Sequence, residues 1–302
     1  MESNSFSLEK EVRSEFVVSE KRKKIWQKQI AMALEVKRIC EKYDIKYFII
    51  WGTLLGAVRH KGYIPWDDDF DIGFLRRDYE MFCNIARKEI KQPFFFQDAM
   101  TDPEYFIGYA RIRDSRTTGW ILQNPSPKYH NGIFIDLYPF DVLPENKYIW
   151  KVQSFAIRSI LGRLTSKDNR VYQNYRLGYK GLVYLHKLCC IMFNMTSHPK
   201  KIGLLYSPYE VENGYWIYAK DVKRTVKLPF ENEIFSAPAG YDGILQNVYK
   251  NYMKLPPRGK RGIWHERQIV FDPDMPYKEF YKSKKRRKSI YEYRCTDFID
   301  IF

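Results

Sequence analysis

Residues Trp51–Arg77 read WGTLLGAVRHKGYIPWDDDFDIGFLRR and set four carboxylates, Asp67, Asp68, Asp69 and Asp71, within five positions. Two unit charges about 4 Å apart repel by roughly 4 kcal/mol at an effective dielectric near 20, so a fold that gathers four must supply cations or leave them in water. The flanks are not those of a solvated tail. Pro65 and Trp66 lead in, and Phe70, Ile72 and Phe74 alternate with Asp69, Asp71 and Gly73. That period of two predicts a strand with Asp69 and Asp71 on one face and the apolar side chains buried on the other. Two carboxylates side by side on a strand, aimed away from the core, are a metal-binding arrangement.

From Glu20 to Tyr43, Ile25, Met32, Val36, Ile39, Cys40 and Tyr43 recur at helical spacing between lysines and arginines. This predicts an amphipathic packing helix, and the polar residues before it are expected to be loosely held. Lys46–Trp51 is a short β-rich run ending in Gly52-Thr53, and Leu54–Arg59 reads as one or two helical turns. A glycine at a strand-to-helix junction lets backbone N–H groups approach a phosphate, the helix N-terminus adds a favourable dipole, and Thr53 offers a hydroxyl to the phosphate or as a cap. Gly-Thr alone is a common dipeptide that ordinary capping explains, so its weight comes from the acidic strand that follows. Arg59, His60 and Lys61 either neutralise phosphate oxygens or pair with the aspartates, His60 leaning to solvent. Arg76 and Arg77 read as surface residues, and Asp78 as the cap of a helix with Tyr79, Phe82, Ile85 and Ala86 inside. Two short strands are predicted at Phe94–Gln97 and Tyr109–Arg113. In Gly132–Asp141, Asp136 sits inside an otherwise apolar strand, which is costly unless the carboxylate is paired or metal-bound. It is the natural third ligand, whereas Asp141, after Pro139, reads as a cap or turn.

The chain has 302 residues, 45% of them hydrophobic, a net charge of +15 and a sequence pI near 9.4. Such a length can bury a core, and such a charge points to polyanionic partners. The excess gathers in Arg158–Lys201 and Lys278–Lys288, while the aspartates cluster early. Five cysteines without C-x-x-C spacing fit reduced thiols better than a disulfide or zinc framework, and the opening MESNSFSLEKEVRSEF lacks the apolar core of a signal peptide. A cytoplasmic protein is expected. Trp150–Leu164 suggests one helix and Gly181–Met195 a second, too short and too charged to span a bilayer. Both read as helices that cover the sheet, with a membrane surface as the alternative; Lys282–Lys288 reads as a solvated tail, with anionic lipid as the alternative.

Gly-Thr, an Asp-apolar-Asp-apolar strand and a later apolar-Asp-apolar strand together resemble the nucleotidyltransferase superfamily, the fold of DNA polymerase beta. GTLLGAVRHKGYIPWDDDFDIGF, followed by a DYE-type helix, is similar to the LicD family of phosphocholine transferases, to which the fukutin-type proteins are related. The resemblance resumes at Leu228-Pro229-Phe230, at Ala237–Asp242, at Leu245 and at Asn251–Pro257, so it covers about half of the chain. Lys250 departs from the glycine usual in the family. The resemblance implies an α/β (α+β) fold: a nucleotidyltransferase-like core sheet with flanking helices at 20–145, after a flexible tail at 1–19. A basic helical segment at 146–215, a helical C-terminal extension carrying the family block at 216–275 and a basic tail at 276–302 would follow. It also implies that phosphocholine, or a similar phospho-alcohol, passes from CDP-choline or another CDP-alcohol to a sugar hydroxyl of a teichoic acid, capsule or lipopolysaccharide. In that reading Mg²⁺, with Mn²⁺ as the alternative, sits on Asp69, Asp71 and Asp136. The donor pyrophosphate lies over Gly52 and Thr53 within reach of Arg59 and Lys61, and Asp67 or Asp68 accepts the acceptor's proton. A lipid-linked glycan acceptor would account for the basic surface and place the protein in the cytoplasm, peripheral at the inner face of an anionic membrane, with no nucleic-acid partner.

Rival readings fall short on particular residues. An EF-hand would use Asp67, Asp69 and Asp71 at its first, third and fifth positions, but its sixth, which must be glycine, is Ile72, and its twelfth is Asp78. A metal-dependent glycosyltransferase needs an acidic pair but neither the Gly-Thr nor a third strand-borne aspartate. A non-catalytic basic binding module explains the charge and not the carboxylates. Another nucleotidyltransferase of the same fold shares everything except the GAVRHKG and IPWDDD sequences.

Overall fold

The strand that carries Asp136, β8 (Ile133–Val142), is the axis of the computed structural model, which describes residues 6–102, 105, 107–121, 129–165, 176–191, 199–206, 215–261 and 269–283. On one side β8 pairs in parallel with β4 (Asp71–Leu75), and β4 pairs in turn with β3 (Phe48–Ile49). On the other side its first half pairs with β6 (Ala110–Asp114), which continues to β5 (Phe94–Gln97). The end of β8 meets β9 (Lys201–Gly203), followed by β10 (Trp216–Tyr218). The result is a seven-stranded mixed sheet in a mixed α/β fold.

Alternation along these strands separates two faces. Ile72, Phe74, Ile112, Ile135 and Leu137 are buried on one face, beneath α1 (Glu20–Lys42) and α3 (Arg76–Glu89), with the Phe74 ring 5.0 Å from Phe82 of α3. Burying each such side chain fully stabilises by about 1.5–3 kcal/mol. The other face carries Asp71, Arg111 and Asp136. Ser19 starts α1, its hydroxyl accepting from the Arg22 N–H at 3.2 Å, and Ile25, Met32, Val36 and Ile39 fill its inner face. Between β3 and β4 runs α2 (Trp51–Arg59), which begins at Trp51 and so takes Gly52 and Thr53 into its first turn.

Residues 11–18, expected to be loose, form a hairpin of β1 (Glu11–Arg13) and β2 (Phe16–Val18). Arg13 ties it down by pairing with Glu231, Nη2 to Oε2 3.1 Å, and by lying over the Trp26 ring. The extension expected to be helical opens with another hairpin, β11 (Thr225–Phe230) and β12 (Glu233–Pro238), before α6 (Tyr241–Tyr249). Phe230 and Phe235 lie 5.1 and 5.2 Å from Phe70, which seats this hairpin against the acidic loop. After residues 262–268, which are outside the described chain, β13 (Ile269–Asp272) pairs with β7 (Thr118–Ile121), a strand the sequence reading missed, and α7 (Tyr277–Lys282) follows.

Arg76, expected at the surface, is buried in a two-pronged pair with Asp141 at 2.7 and 2.6 Å, because the first turn of α3 lies over β8. Asp141 is therefore an interior strand residue and neither cap nor turn. Leu75 holds the N-cap position of α3, so Asp78 sits inside the first turn. The middle helices, α4 (Lys147–Thr165) and α5 (Arg176–Ile191), pack chiefly on each other instead of covering the sheet, around small clusters such as Leu143, Ile157, Cys190 and Leu205. The basic tail beyond residue 283 lies outside the described residues.

Candidate active site

Parallel pairing of β4 with β8 sets Asp71 directly opposite Asp136. The Asp136 N–H donates to the Phe70 carbonyl at 3.0 Å, which carries the pairing one residue into the acidic loop. Asp69 lies in that loop, just before the strand proper. The loop is held by one side of α1: Arg22 and Trp26 donate to the Asp67 carbonyl at 3.1 and 3.0 Å, and Gln29 donates to the Asp68 carbonyl at 2.7 Å. Residues 22, 26 and 29 fall on one helical face, so three polar groups on an otherwise apolar stripe were the sequence signal for this grip. Its other edge is held by Glu231, whose carboxylate accepts from the Tyr63 N–H at 2.9 Å.

The acidic loop lies against the start of α2. A Cβ on Gly52 would stand 2.5 Å from Oδ2 of Asp67 and 3.7 Å from Oδ1 of Asp69, so this glycine is required by the approach of the carboxylates. Thr53 is buried, and its hydroxyl accepts from the Asp71 N–H at 2.8 Å. It fixes β4 to α2 and does not cap the helix. Trp51 adopts φ 51°, a left-handed conformation unfavourable for a bulky residue.

Charge is crowded here. Burial, and then Asp67, Asp71, Asp68 and Asp136, hold the Asp69 carboxyl well above the usual carboxylate range. Burial and the charges of Asp67, Asp71 and Asp69 likewise push up the Tyr249 phenol at the end of α6, a neighbour the sequence reading did not find. Asp136 has a counter-charge: Arg111, its cross-strand partner on β6, donates to it through Nε and, at 3.4 Å, through Nη2, and the Tyr138 hydroxyl adds a contact at 3.3 Å. The lone strand carboxylate is thus a paired one. Arg59 donates to the Tyr252 carbonyl at 2.7 Å, and burial, opposed in part by Tyr249 and Asp67, lowers its pKa. Lys61 is exposed and its ammonium turns back to the Val58 carbonyl at 3.3 Å. The structure therefore brings Asp67, Asp68, Asp69, Asp71, Asp136 and Gly52 together, places Arg59 at the edge, and leaves Lys61 outside.

Residues 44–160 match the family described as LicD/FKTN/FKRP, nucleotidyltransferase domain. A lipopolysaccharide cholinephosphotransferase LicD of Haemophilus influenzae is 30% identical over 234 residues, covering 72% of this chain and 86% of that protein. The chain belongs to the LicD family. An uncharacterized protein of Rickettsia typhi is 45% identical over 175 residues, 58% of this chain and 54% of that protein, and one of Rickettsia prowazekii is 54% identical over 44 residues, 15% of this chain and 16% of that protein. The matched LicD segment holds Gly52, the acidic loop, Arg111 and Asp136, whereas the loop's anchors on α1 and at Glu231 lie outside it.

Carboxylate oxygens are the donors that Mg²⁺ and Mn²⁺ take, and a crowded, half-buried Asp69 is a group that a cation would relieve. The donor chemistry of this LicD chain fits. Among the described residues, however, no three acidic, histidine or cysteine side chains stand close enough to share one ion, and Asp136 is already held by Arg111.

Proposed function

We propose that this LicD-family chain transfers phosphocholine, or a closely similar phospho-alcohol, from a CDP-activated donor to a sugar hydroxyl of a cell-surface glycan, on a nucleotidyltransferase-type core. The observation that carries this reading is the pairing of Asp71 with Asp136 beside Asp69, inside the segment that matches the family. The name of the Haemophilus influenzae relative supports phosphocholine as the group moved and lipopolysaccharide as the kind of acceptor. The acceptor oxygen bonds to the phosphorus beside choline, the bond from that phosphorus to the bridging oxygen breaks, and CMP leaves. Asp69 and Asp71 are the carboxylates that would hold Mg²⁺ or Mn²⁺, with Asp136 beside them on Arg111, and the ion when bound would polarise phosphoryl oxygens and offset developing negative charge.

The chain's own residues have separate tasks. Asp67 is half-buried at the start of α2 and accepts the acceptor's proton, whereas Asp68 is buried with its backbone tied to Gln29 and shapes the loop. Arg111 orients Asp136 and supplies its counter-charge. Arg59 joins the loop after α2 to the C-terminal block and orders it through Tyr252. Trp51 and Tyr215 make a corner, rings 6.4 Å apart and 70° to one another, at the edge of the acidic group. Aromatic faces attract a quaternary ammonium, which favours choline over an uncharged headgroup. Incubation of the purified protein with Mg²⁺, a sugar acceptor and a panel of CDP-alcohols and UDP-sugars tests the reading. CMP from CDP-choline and a phosphodiester on the acceptor are expected. UDP from a UDP-sugar, with the CDP-alcohols untouched, would instead assign a glycosyltransferase.

A further inference from the structure

α4 and α5 bury one apolar face against each other, with Ile157, Ile160 and Leu164 of α4 and Tyr179 and Cys190 of α5 inside, and each carries a second apolar stripe that faces outward. Gln153, Ser154 and His186 are buried between or beneath them. Tyr148, Val152 and Phe155, at helical spacing along α4, are 67%, 69% and 73% exposed, and Tyr184, Leu185 and Leu188 on α5 are 54%, 46% and 57% exposed. Two neighbouring helices with such stripes are unusual on a free surface, where large contiguous apolar patches mark a partner. Their charges say which partner. α4 carries Lys147, Lys151, Arg158 and Arg163, α5 carries Lys180 and a Lys187 that pairs with Glu80 of α3 at 2.5 Å, and neither helix contains an aspartate or glutamate. A second copy docked face to face would set these cations against one another. Among the described residues no helix is long and apolar enough to cross a membrane, so the arrangement is that of helices lying in a bilayer surface, aromatic and aliphatic side chains below and cations at the headgroups.

We propose that the outward face of α4 and α5 binds an anionic phospholipid bilayer. The face also borders a cleft. This cleft, of about 300 Å³, runs between α3, α5 and residues 98–100 and 107–109; Tyr184 of the exposed stripe lines it, and so does Tyr109. The Tyr109 hydroxyl accepts from Arg111 at 3.1 Å, and Arg111 holds Asp136.

Sedimentation of the full chain with vesicles of phosphatidylcholine alone, and of phosphatidylcholine with phosphatidylglycerol, tests this without reference to any reaction. Binding is expected to the phosphatidylglycerol vesicles, weakening as salt rises. The double variant Val152→Ser/Phe155→Ser should partition at least about tenfold less well, and Lys151→Ser about fivefold less well. Both should keep the wild-type circular dichroism and melting temperature, since the side chains removed are exposed. Binding indifferent to phosphatidylglycerol, variants that sediment like the wild type, or a wild-type dimer in light scattering that the double variant abolishes would each overturn the proposal.

Discussion

Burial and four neighbouring carboxylates oppose the ionisation of Asp69. Asp69→Asn should therefore melt higher than the wild type in the absence of divalent cation, by about 2–4 °C for each kcal/mol relieved. Mg²⁺ should raise the wild-type melting temperature and leave Asp69→Asn unmoved, and release of CMP should fall at least about a hundredfold. An equal Mg²⁺ shift in both proteins would remove the metal from this loop. The two buried arginine–aspartate pairs make a second contrast. Losing one partner of a buried pair costs about 3–5 kcal/mol, so Asp141→Asn, which leaves Arg76 with Glu80 but without its buried carboxylate, should lower the urea midpoint yet keep turnover in the protein that remains folded. Asp136→Asn should lose turnover as well. Loss of turnover without loss of stability in Asp141→Asn would reverse these roles. The alternation Phe70-Asp71-Ile72 and the isolated carboxylate in an apolar run were legible because they are local. Arg111 was not, because its pairing with Asp136 depends on the antiparallel register of β6 against β8.

The acidic loop is an element held by other elements: α1 beneath, α2 beside it, and the β11–β12 hairpin at its edge. The order helix, strand, helix, acidic strand was readable from periodicity, but not what clamps it. The guanidinium of Arg13 reaches Glu231, 218 residues away in sequence, and no local pattern announces such a contact. Two glycines of α2 separate the site from the scaffold. A methyl group on Gly52 meets the movable end of the Asp67 side chain, whereas one on Gly56 meets the Gly62 backbone carbonyl at 2.3 Å. Gly52→Ala should leave the melting temperature nearly unchanged and reduce CMP release by about two orders of magnitude, the share expected of a displaced proton acceptor. Gly56→Ala should destabilise the fold and reduce activity only as the folded fraction falls. Equal losses of stability would mean that Gly52 serves the fold and that Asp67 has no chemical part. The middle helices illustrate the converse limit: their period was legible, but amphipathicity alone did not tell which partner their apolar stripes face.

For the molecule as a whole, acid stability depends on histidines that the fold keeps neutral. His130 is stacked on Phe95 at 4.8 Å, its Nδ1 accepts from the Gly132 N–H at 3.2 Å, and burial, then Arg113 and Lys278, lower its pKa to about 2. Burial, then Arg76, lowers His186 to about 4, and burial, then Arg59, Arg13 and Arg261, lowers His60 to about 4. Each ring would titrate near its ordinary value, about 6.5, in the unfolded chain. Below that pH the unfolded state binds protons that the folded state does not, so the contribution is full above about pH 6.5 and is lost as pH falls toward the folded values. Asp69 acts in the opposite sense: its raised pKa lets the folded state keep a proton that the unfolded chain releases, which favours folding as pH falls. A bound cation keeps Asp69 ionised and removes that compensation. The urea midpoint should therefore fall between about pH 7 and pH 5, and fall more steeply with saturating Mg²⁺ than without it. His130→Asn should reduce the proton uptake on unfolding by about one at pH 5. A midpoint that stays level from pH 7 to 5 in both conditions would show that these rings are protonated in the folded protein, and one that falls equally with and without Mg²⁺ would show that Asp69 is not where the cation binds.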